Sequence, residues 1–157
     1  MADSFTVRAP GLLSVISTPV RVSEAFDPEV VGPGWKQPRL LEVQAIWDTG
    51  ATNSVITQRV VDECQLQPID LVEVLGVHGA SLSEVYLVNI MLPSRAGFTG
   101  VRVTKAQLAP GSDMLIGMDI INLGDFAITN FGERTVFSFR SPSEGHVDFS
   151  ASAKSES

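Results

Sequence analysis

From Leu40 to Trp47 the side chains change face at every residue, with Leu41, Val43, Ala45 and Trp47 on one side and Leu40, Glu42, Gln44 and Ile46 on the other. A period of two is that of a β-strand; on a helix the same residues would scatter around the axis. The strand runs into Asp48-Thr49-Gly50-Ala51, and apolar residues resume at Val55 and Ile56. A carboxylate so placed is expected to be partly buried, which costs free energy unless hydrogen bonds or a partner hold it. The chain must therefore build a sheet that delivers Asp48 at the end of a strand and has a use for it there.

The same period recurs along the chain. "IDLVEVLGVHGASLSEVYLVNIML", residues 69–92, predicts a long hairpin around a glycine-containing tip at 76–81. Further strands are expected in "TGVRVTKAQLA" and "DMLI", and a final hairpin in "DFAITNFGERTVFSF", turning at 130–133. One helix is expected over 57–64, because Ile56, Val60, Val61 and Cys64 share a side and Thr57 can cap it; a second, short one is expected after Gly117. Residues 27–38, with Pro28, Gly32, Pro33, Gly34 and Pro38, read as an irregular connection. At 157 residues the chain suits one domain, placed at 1–142, and the serine-rich stretch 143–157 reads as a polar, disordered tail.

Composition removes several functions. The net charge is -7 and the 11 Lys and Arg are scattered, which argues against a nucleic acid partner. One cysteine allows no internal disulfide, and two histidines with it make no recognisable zinc set, so neither metal nor other cofactor is expected. No segment approaches the roughly 20 apolar residues of a membrane-crossing helix, and the first residues lack the pattern of a secretion signal, so a cytoplasmic location is expected.

The triplet Asp48-Thr49-Gly50 with Ala51, followed downstream by "DMLIGMDII", resembles the retropepsin-like aspartic proteases, the family of retroviral proteases and their cellular and bacterial relatives. The resemblance spans residues 40–140 by order of elements. It implies a single-lobe acid protease barrel, mainly β, with a flap hairpin and one or two short helices. It places the catalytic triplet on Asp48, Thr49 and Gly50, the flap on the hairpin tip, and the supporting motif on Leu115, Ile116 and Gly117. Retroviral members commonly pair an acid after the alanine with an arginine after the motif glycine. Thr52 and Met118 stand in those places here, so both partners are missing together, as in the bacterial branch.

Peptide hydrolysis by carboxylates needs two of them, one ionised to take a proton from water and one protonated to donate to the carbonyl oxygen. The triplet occurs once, so the resemblance implies a homodimer with Asp48 of each subunit on the two-fold axis and no active site in the monomer. Thr49 is then expected to tie the two loops together, and Gly50 to let the backbone approach acids and substrate. Ala51 brings no hydroxyl to the ionised acids, from which a less acidic activity optimum is expected than in serine-bearing relatives.

Ala51, Val77, His78, Gly79 and Ala80 are the candidate contacts to an extended peptide or protein substrate, with Val55, Ile56, Leu115 and Ile116 lining or supporting its pockets. His78 reads as a solvated tip residue outside the chemistry. Asp113, Asp119 and Asp125 read as turn or helix-end residues, and Cys64 as core. Trp47 either dries the acid from beneath or fills the core. The alternative to an endopeptidase is a catalytically silent module of the same fold that binds a peptide or protein, and a third reading has the first 20 or so residues covering the cleft until they are removed.

Overall fold

Alternation translates into strands wherever it is sustained. The computed structural model describes residues 1–152. Strand β1 (Asp3–Arg8) is followed by β2 (Ser17–Glu24), β3 (Leu41–Trp47), β4 (Val55–Ile56) and helix α1 (Gln58–Glu63). The flap hairpin is β5 (Asp70–Gly76) and β6 (Gly79–Met91), and β7 (Gly97–Lys105) and β8 (Met114–Ile116) precede helix α2 (Met118–Ile121). The chain closes with β9 (Asp125–Thr129), a 3-10 turn at Phe131–Glu133, β10 (Val136–Ser141) and one helical turn, α3 (Phe149–Ser152).

Seven strands make one sheet, ordered β2-β3-β8-β4-β7-β6-β5, and β2 also pairs with β6. That extra pairing, Arg21 to Glu24 against Met91 to Val88, returns the sheet upon itself. The result is a ring from which β5 and the first half of β6 project as a free hairpin. Val20, Val22, Val43, Ala45, Ile56, Val88, Ile90, Val103, Met114 and Ile116 fill the ring and are all buried. A second sheet, β1-β10-β9, lays Phe5, Phe126, Phe137 and Phe139 around Trp47, with ring centroids 5.0–6.0 Å from the indole. Phe137 and Phe139, each 1% exposed, remove enough apolar surface from water to stabilise the fold by about 1.5–3 kcal/mol apiece, and the partly buried Phe5 and Phe126 add less. Trp47 is thereby settled as core, its Nε1–H donating to the buried Thr18 hydroxyl at 2.9 Å.

Strands β3 and β5 to β10 and helices α1 and α2 lie where the sequence pattern puts them, whereas β1, β2 and β4 were not expected, and four further points differ. Thr57 stands at the N-cap position of α1 but makes no capping bond; its hydroxyl donates instead to Asp113 Oδ1 at 2.7 Å, a carboxylate also paired with Arg59. The first 20 residues are not a detachable cover, because β1 pairs along its length with β10, and β2 with β3. Within the polar tail, Ser143 Oγ and the Glu144 N–H donate to Asp125, while residues 153–157 lie outside the described residues. Finally, the flap turn is tighter than the 76–81 span. Gly76 pairs with Gly79 and leaves only Val77 and His78 between the strands, and Gly79 takes a φ of +109° that a side chain would resist.

The flap is anchored by polar contacts at its base. Lys105 Nζ lies 2.7 Å from Glu84 Oε2, the Tyr86 hydroxyl donates to the same oxygen at 2.6 Å, and Arg102 pairs with Asp70 at 3.1 Å. Hydrogen bonds from Lys105 and then Tyr86 hold the Glu84 carboxyl below its ordinary pKa. Burial of Tyr86, and next its bond to Glu84, push the phenol from 10.0 up to about 12. For an acid raised in the folded state, the stabilisation is complete below the unfolded value near 10 and lost as pH rises through about 12. Tyr86 is the only tyrosine in the chain, so the titration can be read directly. Tyrosinate absorbance should appear with a midpoint near 12 in folded protein and near 10 in denaturant.

Candidate active site

Asp48 is set by two parallel strands. β3 and β8 run side by side with Trp47 opposite Ile116, and the Asp48 N–H donates to the Ile116 carbonyl at 2.9 Å, carrying the ladder one residue further. The chain then turns sharply. Asp48 Oδ1 accepts the Gly50 N–H at 2.8 Å, and the Asp48 carbonyl accepts the Ala51 N–H at 3.2 Å, an Asx turn in which the carboxylate restrains its own loop. A Cβ on residue 50 would sit 3.1 Å from that Oδ1, so glycine fits the turn better than any larger residue. Asp48 is half-buried, while Thr49 and Gly50 are exposed at the rim.

Beneath the turn, residues 51–54 cross the segment 116–119. The Met118 N–H donates to the Ala51 carbonyl at 2.8 Å and the Asp119 N–H to that of Thr52 at 3.2 Å. Ser54, with no exposed surface, is the knot of this crossing. Its hydroxyl donates to Asp119 Oδ1 at 2.7 Å and accepts the Gly117 N–H at 3.1 Å, while its own N–H donates to Asp119 Oδ2 at 2.9 Å. Asp119 Oδ1 also accepts the Ile120 N–H at 3.0 Å, at the start of α2. Gly117 has no room for a side chain: a Cβ would lie 2.8 Å from the Ala51 carbonyl oxygen and from the Asn53 carbonyl carbon. At Thr52 and Met118, where no ion pair can form, backbone bonds and the Ser54–Asp119 pair fasten the same two segments.

Ser54 and Asp119 are thus positioning residues: Asp119 is the helix-end residue expected, in the first turn of α2, and it also binds Ser54, a pairing that reading along the chain does not reveal. The signal was present as a hydroxyl residue after the loop and a carboxylate after the motif glycine. Their pairing depends on two segments distant in sequence coming together. Asp113 and Asp125 do serve structure: Asp113 binds Thr57 and Arg59, and Asp125 is held well below the ordinary carboxylate range by Ser143, Glu144 and Arg140. Cys64 is core, with its thiol pKa raised by burial.

A cavity of about 590 Å³ opens beside the loop, a size that suits part of a bound chain. Ala51, Thr52, Asn53 and Val55 form one wall, and Val72, Val74 and Leu75 from the flap arm face them. Arg102, carrying its pairing with Asp70, stands at the side. Of the residues expected to line or support pockets, Val55 lines this one, while Ile56 and Ile116, with no exposed surface, lie behind it as supports. Val77 and His78 point into solvent at the tip, Val77 almost fully exposed, and Gly79 and Ala80 belong to β6; none of the four reaches this cavity.

The chain has recognisable relatives. It belongs to the aspartyl protease family, whose model matches residues 38–120, more than half the chain and the stretch that holds both Asp48 and Asp119. The fold is retropepsin-like. A retropepsin-like aspartic protease from Rickettsia conorii is similar at a TM-score of 0.51 with 9% identity, over 90% of this chain and 96% of that one. An inhibitor-bound EIAV protease aligns over 71% of this chain and 88% of its own with 18% identity and a TM-score of 0.49. A search of curated protein sequences finds no match.

Two substitutions test the crossing. Ser54→Ala leaves Asp119 and the Gly117 N–H without their buried partner and should lower unfolding stability by about 1–3 kcal/mol. Gly117→Ala should cost about the same by overpacking against backbone that cannot move aside. Urea denaturation of each against the parent chain measures both.

Proposed function

We propose that this chain is an aspartic endopeptidase that hydrolyses peptide bonds through a dyad made from Asp48 of each subunit of a homodimer. The observation that carries the reading is the placement of Asp48. It sits half-buried where β3 ends beside the parallel strand β8, in an Asx turn fastened from below, and the residues that follow it, Ala51 to Asn53, line a cavity faced by the flap hairpin. Such a mounting holds a carboxylate still while leaving one face open to a reactant.

In the dimer, two carboxylates on the axis cannot easily both ionise, so the pair shares a proton. The ionised member takes a proton from a water molecule as that water attacks the scissile carbonyl carbon. The protonated member gives its proton to the carbonyl oxygen, producing a neutral tetrahedral diol. Return of a proton to the amide nitrogen and collapse of the diol break the C–N bond and restore the pair. Thr49, exposed beside Asp48, is available to bond across the axis. The substrate lies extended, paired through its backbone, with apolar side chains meeting Val55, Val72 and Val74. Val77, His78, Gly79 and Ala80 close over it when the flap descends.

Asp48→Asn keeps the shape of the turn and removes the shared proton. Peptide cleavage by purified protein should fall by at least about 100-fold, with the circular dichroism spectrum and dimer mass unchanged. Cleavage surviving in Asp48→Asn overturns the proposal. Peptide binding in both proteins with cleavage in neither identifies a silent binding module.

A further inference from the structure

The seam where β2 meets β6 is covered from outside by the long connection between β2 and β3. Along β2, Val20 and Val22 turn into the ring, so Arg21 and Ser23 face outward; on β6, Ile90 turns inward and Asn89 and Met91 outward. The register sets Arg21 against Met91 and Ser23 against Asn89. Ser23 has no exposed surface although it faces away from the ring, because the connection lies over it. Asn89 pins that cover. Its amide donates to the Phe26 carbonyl at 2.7 Å and its oxygen accepts the Gly100 N–H at 3.0 Å, while Phe26 packs on Trp35 with ring centroids 4.9 Å apart.

Between cover and seam a cavity of about 300 Å³ remains. Phe26, Pro28, Leu40, Ile90, Met91 and Phe98 give it apolar walls, and among the described residues that line it Arg21 alone is charged. No described residue lines both this cavity and the one beside the Asp48 loop. Leu40 precedes β3 and Asp48 follows it, so the two cavities lie toward opposite ends of that strand, about 25 Å apart at about 3.3 Å per residue.

The guanidinium of Arg21 is poorly matched within the chain. Glu42 stands opposite it on β3, yet Nη2 donates instead to Met91 Sδ at 3.0 Å, and Arg21 makes no ion pair among the described residues. A thioether is a weak acceptor, so most of the five donors of the guanidinium are left for an anion. A lining with one cation and no acid, in a chain of net charge -7, complements a single negative charge on an otherwise apolar molecule. A phosphate, with about two charges, would leave one unmet at a single arginine.

We propose that this cavity binds a small carboxylic acid with an apolar body, its carboxylate on Arg21 and its hydrocarbon against Phe26, Leu40 and Phe98. At about 30 Å³ for each water-sized group, 300 Å³ holds about ten non-hydrogen atoms, the size of octanoate. Burial of the hydrocarbon supplies the affinity. Arg21, which is exposed, selects the charge, since an ion pair open to water adds little binding of its own.

Titration of the isotope-labelled full chain with sodium octanoate, followed by its amide resonances, tests this. Shifts should saturate at millimolar concentration or below and centre on Phe26, Asn89 to Met91 and Gly97 to Thr99. Sodium acetate, which has the charge without the body, should produce no saturating shift, and octanol, which has the body without the charge, should bind more weakly than octanoate. Arg21→Gln, checked as folded by its own amide spectrum, should weaken octanoate at least about threefold and leave octanol unchanged. The absence of saturating shifts at these residues overturns the proposal, as does octanoate seated at Ala51 to Asn53 instead. Equal octanoate affinity in Arg21→Gln overturns it too, because the arginine then selects nothing. Every readout is binding to the whole chain, so the outcome does not depend on whether peptide is cut.

Discussion

Two loops cross beneath Asp48 with their backbones almost in contact, and the remaining architecture is arranged around that crossing. It requires a residue without a side chain at Gly117, because carbonyl groups of Ala51 and Asn53 occupy the space where a Cβ would be. It also requires a buried hydroxyl and a carboxylate, Ser54 and Asp119, to satisfy backbone N–H groups that no regular strand or helix reaches there. Loops held only by turns would leave the carboxylate at their tip free to wander. Here the loop is bound from beneath by side chain and backbone at once.

The aromatic layer performs a second task for the same residue. Trp47 anchors the last position of β3 against four phenylalanines from β1, β9 and β10, so the three-stranded sheet is packed directly under the strand that carries Asp48. Both sheets therefore meet at one residue pair, Trp47 and Asp48, the first wholly in the core and the second at the water boundary. The flap is tied far more loosely. Its strands bond mainly to each other, its arm exposes Leu71, Leu75, Val77 and Leu82, and exposed ion pairs secure its base. Few buried contacts and much exposed backbone are what allow a segment to open without disturbing the rest.

Much of this was legible along the chain. The alternation in 40–47, the hairpin of 69–92 and the apolar-apolar-glycine element at 115–117 needed only periodicity and turn chemistry, because those features are local. The same holds for the helix of Val60, Val61 and Cys64. Thr57 was misread because a nearby threonine is a good cap in isolation, whereas Asp113, distant in sequence, offers its hydroxyl a charged acceptor. For Ile56 and Ile116 the sequence left open whether they line or support a pocket, because an apolar residue beside the Asp48 loop can face either the cavity or the ring; the structure buries both as supports.

What the amino-acid sequence determined by itself is a mainly β chain that ends a strand on a single carboxylate, since both the alternation and the Asp-Thr-Gly turn are written in consecutive residues. What only the tertiary structure decided is how that carboxylate is held and which surface is left open. Ser54 meets Asp119 only after β4 and β8 pair, and Ile128 is uncovered only because β10, and not β9, lies at the centre of the second sheet. Both outcomes depend on the order of strands in space. A strand's own residues carry its period and its preferred face, but the identity of its neighbour is set by the contest among all the strands for the same core.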